Sequence, residues 1–90
     1  MTVTIKGHIR VPVEALETIK MHLPAHIQNT LNEPGCLIFQ VQQDALDACL
    51  FHVSEKFEDE RALDAHQNRV KSSQWGAVTK NVERVYEKFE

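Results

Sequence analysis

The stretch CLIFQVQQDALDACLFHVSEKF, residues 36–57, decides how the chain is read. Two runs rich in β-branched and aromatic residues, CLIFQVQQ and CLFHVSEKF, flank the short polar spacer DALDA, which is the pattern of two strands joined by a hairpin loop. With the turn centred near residue 46, Val41 faces Phe51, Phe39 faces Val53 and Leu37 faces Glu55, so every large odd-numbered apolar side chain falls on one face. Because a one-residue slip would invert both patterns, their agreement fixes which face is buried. Cys36 and Cys49 then lie at opposite ends of the hairpin, roughly 20 Å apart at about 3.3 Å per residue, too far for a disulfide. Neither fits a zinc or redox spacing, and both read as small buried hydrophobes.

Outward from the hairpin, the alternation of Val3, Ile5, Ile9 and Val11 with polar residues marks a first strand, with Gly7 interrupting its apolar side. Residues 13–31 change period: Leu16, Ile19, Leu23, Ile27 and Leu31 form the stripe of an amphipathic helix, with Pro12 suited to its start. Pro24 inside it predicts a kink or break, at a cost of about 3 kcal/mol. NEPG at 32–35 is a stop and turn signal. After the hairpin, Asp59 starts a second helix whose inward stripe is Leu63, His66 and Val70, with Ala62 alongside. A further short helical turn is expected around Trp75, and VERVYEKF closes the chain as a last strand.

The order is therefore βαββαβ. Two right-handed crossovers give an α+β, ferredoxin-like sandwich: one four-stranded antiparallel sheet in spatial order 4-1-3-2 with the helices on one face. Ninety residues without a linker make a single domain over 1–90, small enough that a monomer has limited core. A formal charge of −3 and a pI near 5.9 argue against nucleic-acid binding. No apolar run approaches the roughly 20 residues of a membrane span, and the N-terminus lacks a signal-peptide core, so a cytoplasmic location is expected.

EPGCLIFQV, followed by FHVSEKFEDERALDAH, resembles the antibiotic biosynthesis monooxygenase family, whose members carry a similar E-P-G-C segment and a similar E-x-[WF]-x-[DS]-x-x-A-x-x-x-H stretch. The resemblance implies a homodimeric α+β barrel, in which two such sheets pack by the faces their helices do not cover. It also implies a small pocket between helices and sheet, where some members oxygenate quinols or polyketide-derived phenols without metal or flavin. Fold alone names no substrate. Haem-degrading relatives place an asparagine on the first strand and a haem-ligating histidine later on the second long helix. Here Gly7 and His8 occupy the first position and His66 falls about two turns too early, which disfavours that activity.

The candidate catalytic pair is Glu55 and His66. Glu55 shares its face with Phe51, Val53 and Phe57; His66 shares its stripe with Leu63 and Val70, and both distances back from the chain reversal are about 10 Å. The two should point into the layer between helix and sheet and hydrogen-bond there, the carboxylate fixing the tautomer of the ring and favouring its protonated form. Such a group can move a proton from a phenol or hydroquinone. Trp75, Phe39, Phe51 and Tyr86 are the residues expected to bind a small aromatic substrate. No metal is expected: His22 and His26 have the i, i+4 spacing of ligands but flank the apolar stripe with no carboxylate-rich motif. The competing class is a non-enzymatic small-molecule-binding or structural homodimer of the same fold. An open cavity beside His66 favours the enzyme; one plugged by Phe39, Phe51 and Trp75 favours the other class.

The outward sheet face carries Lys6, His8, Arg10, Gln40, Gln42, His52, Ser54 and Lys56, relieved by Ile38 and Leu50. That is polar for a subunit interface, with Glu83 and Glu87 as the available counter-charges.

Overall fold

A computed structural model describes residues 1–90. Strand β1 spans Val3–Arg10 and is followed by a 3-10 turn, Val13–Ala15, leading into helix α1, Leu16–Leu31. Strands β2, Cys36–Gln43, and β3, Leu50–Phe57, form the hairpin. Helix α2, Glu60–Lys71, the short helix α3, Gln74–Val78, and strand β4, Glu83–Phe89, complete the chain. The sheet is four-stranded and antiparallel in the order β2-β3-β1-β4, as the sequence predicts. No helix is long and apolar enough to cross a membrane.

Local chemistry sets the boundaries. Asp59 caps α2 by accepting a hydrogen bond from the Ala62 amide (2.8 Å), and Ser73 caps α3 by accepting from the Gly76 amide. Gly35 takes φ +86°, and a side chain there would press into the Ala62 methyl and the Glu58 stem, so the turn into β2 requires glycine.

The hairpin register differs from the sequence expectation by two residues: Val41 pairs with Val53 and Phe39 with Glu55, while Phe51 is opposite Gln43. The cause is the loop. Asp44 Oδ2 accepts from the amides of Leu46 and Asp47, and the Asp44 amide donates to the Leu50 carbonyl (2.7 Å), so the reversal centres on residue 47. An irregularity between Cys36 and Ile38 leaves Leu37 without a partner, 51% exposed rather than facing Glu55. A two-residue slip preserves the faces, which is why the buried set Phe39, Phe51, Val53, Glu55 and Phe57 is still the odd-numbered one.

Helix α1 also departs from expectation. It runs unbroken through Pro24, and the residues it buries are Ile19, His26 and Thr30. Leu31, expected on the stripe, is 47% exposed. Burial of Ile19 before Pro24 and of His26 and Thr30 after it holds the helix on both sides of the missing hydrogen bond.

The core lies between the sheet and the helices in two clusters. Ile9, Val11, Ile19, Phe51, Val53 and Trp75 belong to the larger, and Val3, Ile5, Phe57 and Leu63 form the smaller. The polar side chains Glu55, His66 and His26 are buried in the same layer.

Candidate functional site

A cavity of about 310 Å³ opens between the sheet and the helices. Its floor is Ile5 and Ile9 of β1, Phe39 and Val41 of β2, and Val53 and Glu55 of β3. α2 contributes His66, Gln67, Val70 and Lys71, while His26 and Trp75 come from α1 and α3. Arg84 and Tyr86 reach in from β4. Of the residues singled out in the sequence, Glu55, His66, Phe39, Trp75 and Tyr86 meet here and Phe51 does not. The shifted register carries Phe51 toward the hairpin loop, where it is 2% exposed in the core and borders a separate groove with Leu23, Pro24 and Ile27.

His66 is oriented by a residue that the sequence reading treated only as part of a turn. Its Nδ1 lies 2.7 Å from Glu33 Oε1, whereas Nε2 is 3.8 Å from Glu55 Oε1, beyond hydrogen-bonding range. The expected Glu55–His66 hydrogen bond is therefore absent. Glu33 sits at the helix-to-strand turn, and its other oxygen pairs with Arg69 Nε, whose Nη2 in turn donates to Thr30 Oγ1 (3.2 Å). A carboxylate receiving Nδ1–H leaves Nε2 as a bare lone pair, the form of the ring that accepts a proton.

Burial decides the charge states. His66 is held below the ordinary histidine value chiefly by burial, an effect the Glu33 hydrogen bond opposes but does not overcome. The ring is thus neutral at pH 7, contrary to the protonated form expected from the sequence, because burial outweighs the Glu33 contact and the Arg69 charge adds to it. Glu55 is pushed up to about 7, first by burial and then by repulsion from Glu33. His26 is pushed down to about 3 by burial, with His66 and Arg69 adding to the effect. Burial, followed by the Glu55 charge, raises the Tyr86 phenol to about 12, so it stays protonated.

Aromatic contacts shape the walls. His26 stacks on Trp75, with centroids 4.6 Å apart and planes 8° from parallel, and meets Phe39 edge-on at 5.3 Å. His66 leans on Phe57 (5.1 Å) and Phe39 (5.8 Å). The i, i+4 histidines therefore separate in role: His26 belongs to the cavity wall, with a buried Nδ1 that has no hydrogen-bond partner. Two buried threonines fix this wall. Thr30 donates to the His26 carbonyl (2.8 Å) and accepts from Arg69; Thr79 donates to the Trp75 carbonyl (2.7 Å) and accepts from Arg84 (2.9 Å).

Glu33 and Arg84 escaped the sequence reading as site residues, and His26 entered it only beside His22 as a rejected metal-ligand pair. The nearest signal was the E-P-G-C segment itself, since a glutamate is not required by the turn that proline and glycine already make.

The fold has counterparts among solved structures. A protein from Nitrosomonas europaea described as a candidate antibiotic biosynthesis monooxygenase superposes with a TM-score of 0.80 at 22% identity, over 100% of this chain and 97% of its own. One from Deinococcus radiodurans with the same description gives 0.75 at 20%, over 100% and 91%. PA3566 from Pseudomonas aeruginosa gives 0.73 at 23%, over 96% and 93%. At these identities the likeness is one of fold. No curated protein matches the chain. Residues 2–78, however, match the sequence profile described as antibiotic biosynthesis monooxygenase, which spans most of the chain, and on that ground the protein belongs to the antibiotic biosynthesis monooxygenase family.

Proposed function

We propose that the protein is a cofactor-independent monooxygenase acting on a quinol or phenol of one or two rings. The observation that carries this reading is the held tautomer of His66: Nδ1 is engaged by Glu33 and Nε2 is free beside Glu55, inside an aromatic-walled cavity. The volume lies at the small end for ligand pockets, which favours one or two rings over the larger polycyclic phenols.

In this reading Nε2 removes the proton from a substrate hydroxyl, and Glu33 keeps the ring aligned as the imidazolium forms. The resulting phenolate passes electron density to dioxygen at the adjacent ring carbon, giving a carbon-bound hydroperoxide. The imidazolium returns its proton to the peroxide, and as the O–O bond breaks the C–H bond at that carbon releases its proton to Nε2, so one oxygen atom stays as a carbonyl, the other leaves as water, and a hydroquinone and dioxygen become a hydroxyquinone and water. Glu55, poised near neutrality, supplies the proton for the departing water. Trp75 and Phe39 hold the ring, and the protonated Tyr86 donates to the developing carbonyl. Phe39 and Trp75 line the cavity without filling it, which supports the enzyme over a plugged structural dimer.

A homodimer is part of the same reading. The sheet face away from the helices is uncovered in one chain, and Ile38, Val85 and Phe89 stand 42%, 49% and 49% exposed. A second copy packed there would cover them.

The test is oxygen uptake by the purified protein with one- and two-ring hydroquinones. Uptake above autoxidation should fall at least about 100-fold in His66→Ala and about 10-fold in Glu33→Gln, in keeping with general-base contributions. Uptake indistinguishable between the native protein and His66→Ala would remove the base from the mechanism.

A further inference from the structure

The charged groups of the cavity are one acid and two bases, Glu55 against Lys71 and Arg84. Neither cation has a carboxylate within ion-pair distance: the ion pairs of the chain use Arg10, Arg69 and Lys88, together with His52 and His66. The Arg84 guanidinium donates only to neutral acceptors, the Thr79 carbonyl (3.2 Å), Thr79 Oγ1 (2.9 Å) and the Val82 carbonyl (3.3 Å). Of its five N–H donors, Nε–H and one on Nη1 are not taken by these acceptors, and the guanidinium also lies beside the neutral Tyr86 hydroxyl.

The polar groups also fall at two separate ends. On β1, Glu55 is opposite Ile5 on one side, and Arg84 is opposite Ile9 on the other, with Gly7 and Tyr86 between these levels. Four residues of strand place the two levels roughly 13 Å apart. On α2, which runs back over the sheet, Lys71 lies five residues beyond His66, or roughly 7.5 Å further toward the Arg84 end. The proton-transfer groups therefore occupy one end and the free cations the other.

We propose that the natural ligand carries a carboxylate at the end opposite its ionisable hydroxyl, the carboxylate seated against Arg84 and Lys71 while the hydroxyl meets His66. This rests on the cavity being a ligand site, as argued above. Glu55, at the far end and only partly ionised at neutral pH, does not balance these cations. A flat ring system between the two ends passes over Tyr86, whose ring covers Gly7, and against Trp75.

The test is isothermal titration of the native protein with three redox-stable probes: 2-naphthol, 6-hydroxy-2-naphthoate and 3-hydroxy-2-naphthoate. Quenching of Trp75, the single tryptophan, serves as a second readout. The 6-hydroxy-2-naphthoate, with its two groups at opposite ends, should bind about 10-fold tighter than 2-naphthol, and the 3-hydroxy isomer should not share that gain. The gain of 6-hydroxy-2-naphthoate over 2-naphthol should shrink to about threefold in Lys71→Gln, disappear in Arg84→Gln and return in Arg84→Lys. Lys71 is exposed, so its variant reports even if Arg84→Gln folds poorly. Equal binding of 2-naphthol and 6-hydroxy-2-naphthoate, or a gain that survives loss of both cations, overturns the carboxylate inference and leaves the cavity reading standing. Failure of all three probes to bind overturns both.

Discussion

At the scale of single residues, the site is governed by a competition between burial and neighbouring charge, and Glu55 is where burial wins most clearly. Its folded-state value, about 7, lies above the ordinary 4.5, so the folded protein holds this proton more tightly than the unfolded chain. The stability that this contributes is fully present below pH 4.5 and is lost as pH rises through about 7. His26 works in the opposite sense: held near 3 against an ordinary 6.5, it contributes stability above pH 6.5 that is lost as pH falls toward 3. Glu55→Gln, which mimics the protonated carboxyl, should therefore raise stability at pH 8 by on the order of 2–3 kcal/mol and change it little at pH 4.5. Urea unfolding at the two pH values checks this; an equal effect at both would mean that Glu55 titrates normally. Glu55 and His66 were legible in the sequence because each sits at a register position on an otherwise apolar face. Glu33 was not, since a turn residue's side chain answers to no period. His26 was hidden for a related reason: the buried face of α1 includes the polar His26 and Thr30, and the apolar positions alone point to a neighbouring face.

At the scale of elements, the closest tolerance is between β1 and β4. A Cβ on Gly7 would run into the Val85 carbonyl oxygen and lie 2.9 Å from the Tyr86 Cα and 2.8 Å from its ring. Glycine at this position lets the edge strand close down and lays Tyr86 over β1, toward the cavity. Gly7→Ala should therefore cost about 1–3 kcal/mol by overpacking and displace Tyr86. Denaturant unfolding gives the first quantity and a phenolate titration the second, since a displaced Tyr86 should ionise nearer to 10 than to about 12. An alanine variant with native stability and an unmoved phenol would show that the strands relax freely. The sequence marked this position as an interruption of the apolar side. It could not show that the reason was the neighbouring strand's backbone. The same limit explains the hairpin: alternation fixed the face of each strand, whereas the register waited on the hydrogen bonds of Asp44, which only the formed loop supplies.

At the scale of the whole molecule, the open question in the sequence was how so polar a sheet face forms an interface. In the sheet register Lys6 lies opposite Glu87 and Arg10 opposite Glu83 on β4, while the Arg10 guanidinium itself pairs with Asp47 (2.9 Å). Val85 and Phe89 alternate with these acids on the same face, next to His8 and Thr4. The face thus carries both signs of charge, with Val85 and Phe89 set between the acids of β4, and every residue of β4 is exposed in the isolated chain. An edge strand with that much uncovered apolar surface invites pairing or cover. Sedimentation at tens of micromolar should therefore give about twice the 10.3 kDa of one chain. Val85→Asp should shift it toward the monomer, because it places an unpaired charge in the buried strip, whereas Val13→Asp, at a site 74% exposed and away from the sheet, should not. A native protein that sediments as one chain at that concentration excludes the paired-sheet barrel. A dimer indifferent to Val85→Asp places the contact on another face, and the proposed cavity would then have to be complete within one subunit, closed only by its own β4.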